Sequence, residues 1–292
     1  MGAIELLSPL DLSRITTDFR PNQSNTLWIT MTRAPLGKVQ NFSVDLLQQI
    51  AALHESMRIS ELTWISGGKR HQINYSVLRS AHPEYFSLGG DLAHFRDCIR
   101  RGDRRALLDY SMSCMDMIYD WSNLPNRKSL VTLALIQGRA LGGGFETALA
   151  ADFIVAEEHS EFGFPEILFG LFPCTGGMSL LARRVGVYEA ERMMSSGRMY
   201  SAAELHAKGV IDMLCSKGGG EQAAERFILE HTRHRTARLA LQRGRHRLSP
   251  LRYDELREVV EEWVEAAAVL PESDLRVMDM LIAMQHATVS TA

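Results

Sequence analysis

Apolar residues recur along the chain with two periods, and the alternation between them outlines a fold. Thr26-Leu-Trp-Ile-Thr-Met-Thr32 is rich in β-branched and aromatic residues and predicts a strand. After Ser43, a potential cap, Leu46, Leu47, Ile50, Ala51 and Leu53 fall at helical spacing and predict a helix from Val44 to about Met57. Leu62-Thr-Trp-Ile65 and Tyr75-Ser-Val-Leu78 read as strands on either side of a Gly67-Gly68 turn and a polar stretch. Helices are expected from Asp91 to about Arg101 and from Asp103 to about Trp121. Leu130 to Ile136 is a short continuous apolar run, suited to a strand buried on both faces. A glycine-rich loop from Gly138 to Gly144 leads into a helix through Ala150, followed by a strand at Asp152-Phe-Ile-Val-Ala156. Short helices punctuated by Gly and Pro come next, with a last strand at Ile211–Leu214.

Alternating strands and helices followed by helices alone predict an α/β core with a helical tail. We divide the chain into a loosely held arm at 1–23, a core at 24–217 and a helical region at 218–292 that begins at Gly218-Gly-Gly220 and holds three helices.

Composition narrows the class. The 292 residues are 46% hydrophobic and 23% charged, ordinary for a globular domain, and the net charge of −3 gives no global pull toward nucleic acid or an anionic membrane. No apolar run approaches the ~18–20 residues that would span a bilayer. The N-terminus shows no basic segment leading into an apolar one, so a cytoplasmic protein is expected. Cys98, Cys114, Cys174 and Cys215 form no Cys-x-x-Cys pair, which speaks against a zinc site and suits a reducing compartment; all four read as plain buried or half-buried thiols.

Two glycine turns carry the candidate chemistry. Leu88-Gly-Gly-Asp91 and Leu141-Gly-Gly-Gly-Phe-Glu146 each follow a strand and open a helix. Glycine lets the backbone present its N–H groups unobstructed, and a helix start adds unpaired donors. Facing one another, two such turns would form an oxyanion hole from backbone alone; taken singly, each is equally readable as a tight turn. Two carboxylates accompany them. Glu146 stands on the first turn of an apolar helix, and Glu166 follows Phe162-Gly-Phe-Pro165. Apolar surroundings raise a carboxyl pKa toward that of a general acid or base. The plainer alternative is the preference of Glu for helix starts, which Pro165 before Glu166 also fits.

The ordered set Ser87-Leu-Gly-Gly-Asp91, Ile136-Gln-Gly-Arg-Ala-Leu-Gly-Gly-Gly-Phe-Glu146, Ala151-Asp-Phe-Ile-Val-Ala156, Phe162-Gly-Phe-Pro-Glu166, Gly170-Leu-Phe-Pro173 and Gly176-Gly177 resembles the crotonase (enoyl-CoA hydratase/isomerase) superfamily. The resemblance implies repeated ββα units with a helical C-terminal region that covers an acyl pocket and takes part in oligomerisation, as a homotrimer or a multiple of one. It implies oxyanion donors at Gly90 and Gly143, catalytic carboxylates at Glu146 and Glu166, and no cofactor. Phe86 to Leu92, Arg104-Arg-Ala-Leu-Leu-Asp-Tyr110, Pro165 to Pro173, Glu262-Trp-Val264 and Ser273 to Asp279 further resemble the diffusible signal factor synthases within that superfamily.

Those enzymes dehydrate a 3-hydroxyacyl-carrier-protein to a cis-2-enoyl thioester and hydrolyse it to the free acid. This implies an acyl tunnel lined by Leu141, Trp263 and Leu281, with an acyl carrier protein or CoA as carrier and a sensor-kinase receiver domain as a further partner. The resemblance favours Glu166 as base and Glu146 as acid without fixing either. A CoA-linked hydratase or isomerase of fatty-acid metabolism is the alternative enzyme; an acyl-ligand or signalling-partner binding protein without turnover is the alternative of another class. The chain departs from many relatives at Leu88-Gly89-Gly90 and at Cys174, where they carry Ala or Ser and Gly respectively.

From His231 to Arg247 the chain holds six arginines and no acidic residue. A solvated basic face is the simplest reading, with a docking surface for an acidic carrier or for nucleic acid as alternatives. His231 and His234 read as surface histidines rather than metal ligands. The Gly138–Gly144 spacing departs from the dinucleotide fingerprint, which excludes a Rossmann site.

Overall fold

The computed structural model describes residues 12–36, 38–124 and 129–289. Its main sheet has six strands in the order β1-β2-β5-β7-β9-β12: Ile15–Arg20, Thr26–Met31, Tyr75–Ser80, Val131–Ile136, Phe153–Glu157 and Met213–Cys215. β1 is antiparallel to β2; the remaining neighbours are parallel. A second sheet of short strands runs β11-β10-β8-β6: Met199–Ser201, Glu161–Gly163, Arg139–Leu141 and Tyr85–Ser87. β3 (Thr63–Ser66) and β4 (Lys69–Gln72) form a separate hairpin across the Gly67-Gly68 turn.

The helices are α1 Val44–Ile59, α2 Leu92–Arg101, α3 Arg104–Asn123, α4 Gly143–Ala150, α5 Gly177–Val185, α6 Val187–Ser196 and α7 Ala202–Ala207. They continue with α8 Gly220–Thr232, α9 Arg235–Leu248, α10 Tyr253–Ala267 and α11 Glu272–Val289. The mixed α/β class and the helical C-terminal region are as the sequence leads one to expect.

β7 shows why the apolar run must be a central strand. With a side-chain period of two, Val131, Leu133 and Leu135 point to one face and pack with Ala223, Ala224 and Ile228 of α8 and Leu239 of α9. Ala134 and Ile136 point to the other face, into the larger core that includes α3, α4 and α10. A strand covered on both sides is almost wholly apolar, and its one polar side chain, Thr132, is paired with the buried Asp152. The chain leaves β7 at Ile136 and passes through the short strand β8 into the second glycine turn, so that turn is tied to both sheets.

Three expectations are corrected. Ile15–Arg20, within the stretch read as a loose arm, is an edge strand whose Ile15 is fully buried; its alternation is masked by Thr16, Thr17 and Asp18, and residues 1–11 lie outside the described ones. The C-terminal region holds four helices among the described residues rather than three, because the chain breaks at Arg233-His234 as well as at Ser249-Pro250 and Leu270-Pro271. His231 is buried, on the stripe of α8 that carries Ala224 and Ile228, with its Nδ1 3.0 Å from the Tyr75 hydroxyl. Burial, with Arg238 and Arg235 nearby, lowers its pKa to about 4, so it is neutral.

The basic stretch docks onto the protein itself. Gln242 Nε2 donates to Leu130 O, and His246 Nε2 lies 3.0 Å from Asp152 Oδ1. Arg245 donates to Asp152 O at 3.1 Å. These contacts are at the starts of β7 and β9, the opposite end of the sheet from the glycine turn. Among the described residues, no helix is long and apolar enough to cross a membrane.

Asp152 is the polar tie in this region. Its buried Oδ2 accepts from Thr132 N and Thr132 Oγ1, each at 3.0 Å, while Oδ1 faces His246. Asp152→Ala would leave the Thr132 N–H and the His246 ring without that acceptor. A loss of about 3 kcal/mol is expected, read as a lower urea midpoint with unchanged slope; a midpoint equal to the parent's would contradict the assignment.

Candidate active site

The two glycine turns pack against one another. A Cβ at Gly89 would stand 2.7 Å from Leu141 O and 3.0 Å from Gly143 N, and one at Gly143 would stand 3.6 Å from Gly90 N. Gly89 has φ +89°, a conformation that side-chain-bearing residues rarely adopt. The first turn is clamped from outside. Phe42 N donates to Gly89 O at 2.9 Å, Asp91 N donates to the Tyr110 hydroxyl at 2.8 Å, and that hydroxyl donates to Phe42 O at 2.5 Å. Asp91 then caps α2 by accepting from His94 N. Gly143 opens α4, so its N–H is among the first-turn donors with no intrahelical acceptor. The Gly90 and Gly143 backbones thus lie side by side.

Glu146, one turn into α4, is 2% exposed. Its Oε1 accepts from Thr175 N at 2.9 Å and Gly177 N at 2.7 Å, and its Oε2 accepts from Thr175 Oγ1 at 2.5 Å. Burial raises its pKa, while the Thr175 and Gly177 hydrogen bonds pull it down. Glu166 begins a 3-10 turn, Glu166–Phe169. Although the residue is partly exposed, its Oε2 is enclosed and has no hydrogen-bond partner. Desolvation, then the charge of Glu146, pushes its pKa up to about 8. Gly142, at φ +50°, leaves room for it: a Cβ there would collide with Glu166 Oε1.

Both carboxylates and both glycines line one cavity of about 220 Å³, together with Leu141, Trp263 and Leu281. All seven residues singled out from the sequence therefore meet in one place. The rest of the wall is largely apolar and includes Met117, Ile118, Phe169 and Phe172. The C-terminal helix α11 closes one side with Leu281, Met284 and Gln285. It is held to α2 by Arg96–Asp279 at 2.9 Å and Arg100–Asp279 at 2.7 Å.

Sequence reasoning missed three contributors. Thr175 and Gly177 orient Glu146, and the available signal was a Gly-Gly pair opening α5 three residues after a proline. Tyr110, which clamps the first turn, stood in a segment noted for its resemblance, but nothing in that segment pointed to the clamp. Cys114 and Cys174 also line the cavity, and burial raises both thiols, Cys114 to about 12, so they are neutral and poor nucleophiles. Among the described residues, no group of three or more His, Cys, Asp or Glu could hold a metal ion.

Residues 69–246, more than half of the chain, match the family model described as enoyl-CoA hydratase/isomerase, and the chain belongs to that family. It is 41% identical over 97 residues to a probable enoyl-CoA hydratase of Rhizobium meliloti (strain 1021), covering 33% of this chain and 37% of that protein. It is 35% identical over 146 residues to the probable enoyl-CoA hydratase EchA17 of Mycobacterium bovis, covering 50% and 52% respectively. The chain thus spans between about a third and a half of the length of these curated relatives.

Among solved structures, an enoyl-CoA hydratase from Bacillus halodurans superposes with a TM-score of 0.73 at 20% identity, covering 92% of this chain and all of that one. Pseudomonas aeruginosa DspI superposes with a TM-score of 0.63 at 25% identity, covering 94% and 97%. The fold is the crotonase fold, as the sequence resemblance implies.

The strained carboxyl has a measurable signature. With a folded pKa near 8 and an ordinary value near 4.5 unfolded, Glu166 is ionised only in the unfolded chain between those pH values. Native stability therefore falls as pH rises through that window, by up to about 1.4 kcal/mol per pH unit, and levels off above it. Glu166→Gln removes the titration. The melting temperature of the variant relative to the parent is expected to climb from pH 5 to pH 8; a difference independent of pH would show that Glu166 titrates normally.

Proposed function

We propose that the protein is a diffusible-signal-factor-type synthase, dehydrating a 3-hydroxyacyl thioester to the 2-enoyl thioester and then hydrolysing it to a free unsaturated acid. The observation that carries this reading is the pair of carboxyl groups, one buried and one enclosed at its Oε2, beside two glycine N–H groups at one apolar cavity. The thioester oxygen would sit between the N–H groups of Gly90 and Gly143. There, fixed dipoles stabilise the charge that grows as the α-proton leaves, each donor worth ~3–4 kcal/mol. The apolar wall closed by α10 and α11 suits an acyl chain, and the resemblance to the synthases extends through those two helices.

The carboxylates share one proton near neutral pH. The hydrogen bonds onto Glu146 favour its ionised form, so the resting proton lies on Glu166. Dehydration uses the other arrangement of the same proton. Glu166 takes the α-proton, the C–O bond at the 3-position breaks, and Glu146 gives its proton to the departing hydroxyl, which leaves as water. That step returns the pair to its resting state, with Glu146 ionised.

Ionised Glu146 is the group needed for hydrolysis. It takes a proton from water as the oxygen attacks the thioester carbonyl. The oxyanion rests on the two glycine N–H groups, and its collapse expels the thiol with the proton returned from Glu146. Each reaction leaves the pair set for the next water-activating step.

Family membership also supports a second reading, a CoA-linked enoyl hydratase or isomerase, and the product separates the two. An acyl carrier protein as carrier and a receiver-domain partner belong to the synthase reading, while a homotrimer or a multiple of one follows from the superfamily resemblance and is common to both enzyme readings. The basic stretch of α9, at the far end of the sheet, does not adjoin the cavity and lends no support to carrier docking there.

Purified protein is incubated with a medium-chain 3-hydroxyacyl-carrier-protein, and the products are analysed by mass spectrometry. Free 2-enoic acid is expected, with Glu146→Ala and Glu166→Ala each slowed about a hundredfold or more. Enoyl thioester without free acid would favour the hydratase, and full biological activity of both variants would favour a binding protein.

The two half-reactions also differ in pH dependence. Above about pH 8 the pair loses its shared proton, so dehydration has no acid for the hydroxyl and kcat/KM falls. Hydrolysis of a supplied 2-enoyl thioester needs only ionised Glu146 and is expected to persist there; a parallel fall of both would contradict this division of roles.

A further inference from the structure

Besides Glu166, two polar side chains in the cavity wall have unpaired atoms. Ser111 is fully buried on α3, and its hydroxyl makes no hydrogen bond. A serine within a helix commonly bonds the carbonyl four residues back, as Ser113 does to Asp109 O at 2.8 Å. Ser111 instead lines the cavity. Trp263, 2% exposed, also lines it, with an unpaired indole N–H.

The two reach the cavity from neighbouring helices. α3 and α10 run antiparallel, fixed by Arg104–Glu265 at 3.1 Å near one end and by Tyr253–Asp116 at 2.9 Å near the other, so Ser111 and Trp263 lie within the same overlap. Phe95 bridges the region, its ring 4.8 Å from Trp263 and 5.1 Å from Tyr110, the residue before Ser111. An unpaired buried donor is unfavourable, and two lining one ligand cavity indicate a missing acceptor.

We propose that Ser111 and Trp263 form a polar subsite that takes an oxygen carried on the acyl chain beyond the 3-position, so that the cavity selects oxygenated acyl groups over plain ones. The indole N–H donates to that oxygen. The serine hydroxyl donates to a carbonyl or accepts from a hydroxyl. A plain methylene chain would cover both groups and leave them unpaired. The inference rests on the acyl-thioester reading of the cavity, and its test is arranged to be separable from that reading.

The full-length parent, Ser111→Ala and Trp263→Phe are titrated calorimetrically with medium-chain fatty acids of one length. One acid is unsubstituted, and the others bear a single hydroxyl at successive carbons beyond the third. The parent is expected to bind at least one hydroxy acid about tenfold more tightly than the plain acid, with that ratio moving toward one in each variant. A parent that does not prefer any hydroxy acid, a ratio unchanged in both variants, or no binding of either class overturns the subsite. Turnover of the matching 3-hydroxyacyl thioesters is measured alongside. Discrimination in binding without turnover of any thioester keeps the subsite and overturns the synthase reading. Turnover of plain chains without discrimination does the reverse.

Discussion

The contact between the two glycine turns is the constraint on which the site depends. Gly89 approaches Leu141 O and Gly143 N more closely than any side chain would permit, and this approach sets the Gly90 and Gly143 backbones side by side. Each turn is held from behind by a different part of the fold. Phe42 and Tyr110 fix the first from the loop before α1 and from α3. The fully buried β7, followed by the short strand β8, delivers the second. Aligned backbone donors are useful for catalysis only when they do not have to reorganise as charge develops. Here rigidity comes from ordinary packing and main-chain hydrogen bonds in two separate layers.

The carboxylates follow the opposite logic. Glu146 is buried but anchored by the Thr175–Gly177 turn, and Glu166 is enclosed with an oxygen left unpaired. Burying a carboxyl without a partner works against folding, so the protein keeps Glu166 protonated instead. The charge on Glu146 then works in the same direction, because two ionised groups in one low-dielectric pocket repel. One proton shared by two unequal carboxyls is the outcome of their unequal hydrogen bonding. Stability given up at Glu166 and chemical readiness of the pair are therefore two expressions of the same desolvation.

Much of this was legible in the sequence, and the rest was hidden for identifiable reasons. β7 and α1 declared themselves because long apolar runs and helical stripes report burial directly. The seven site residues were legible because glycine turns and acidic residues in apolar surroundings are chemically unusual, and because their order resembles a known family. Short strands such as β6, β8 and β10 were not, since three residues carry no period and form only where the turns bring them together. Ile15–Arg20 was hidden by its threonines and aspartate at an edge. His231 and the basic stretch misled because local polarity was taken for exposure. Arg245 and His246 in fact bond backbone and carboxylate groups at the foot of the sheet, while Arg233, His234 and Arg247 are exposed. Which polar groups find partners is a tertiary property, and no local pattern reports it.

The same distinction separates the two ends of the cavity. Near the glycines, most polar groups have an assigned neighbour, and protonation lowers the cost of enclosing the unpaired carboxyl of Glu166. Along α3 and α10 the wall is apolar, and the two groups that break the pattern, Ser111 and Trp263, are unpaired where Ser113 nearby is satisfied. α10 and α11 lie outside the second glycine turn and its sheet, joined to the rest by helix packing and by ion pairs such as Arg96–Asp279. The two parts still touch: Leu256 of α10 packs beside Gly176, and Phe95, which lies against Trp263, also packs against Gly90. The fold thus holds the reacting centre on turns tied to the sheets and builds much of the chain-binding wall from helices packed outside them.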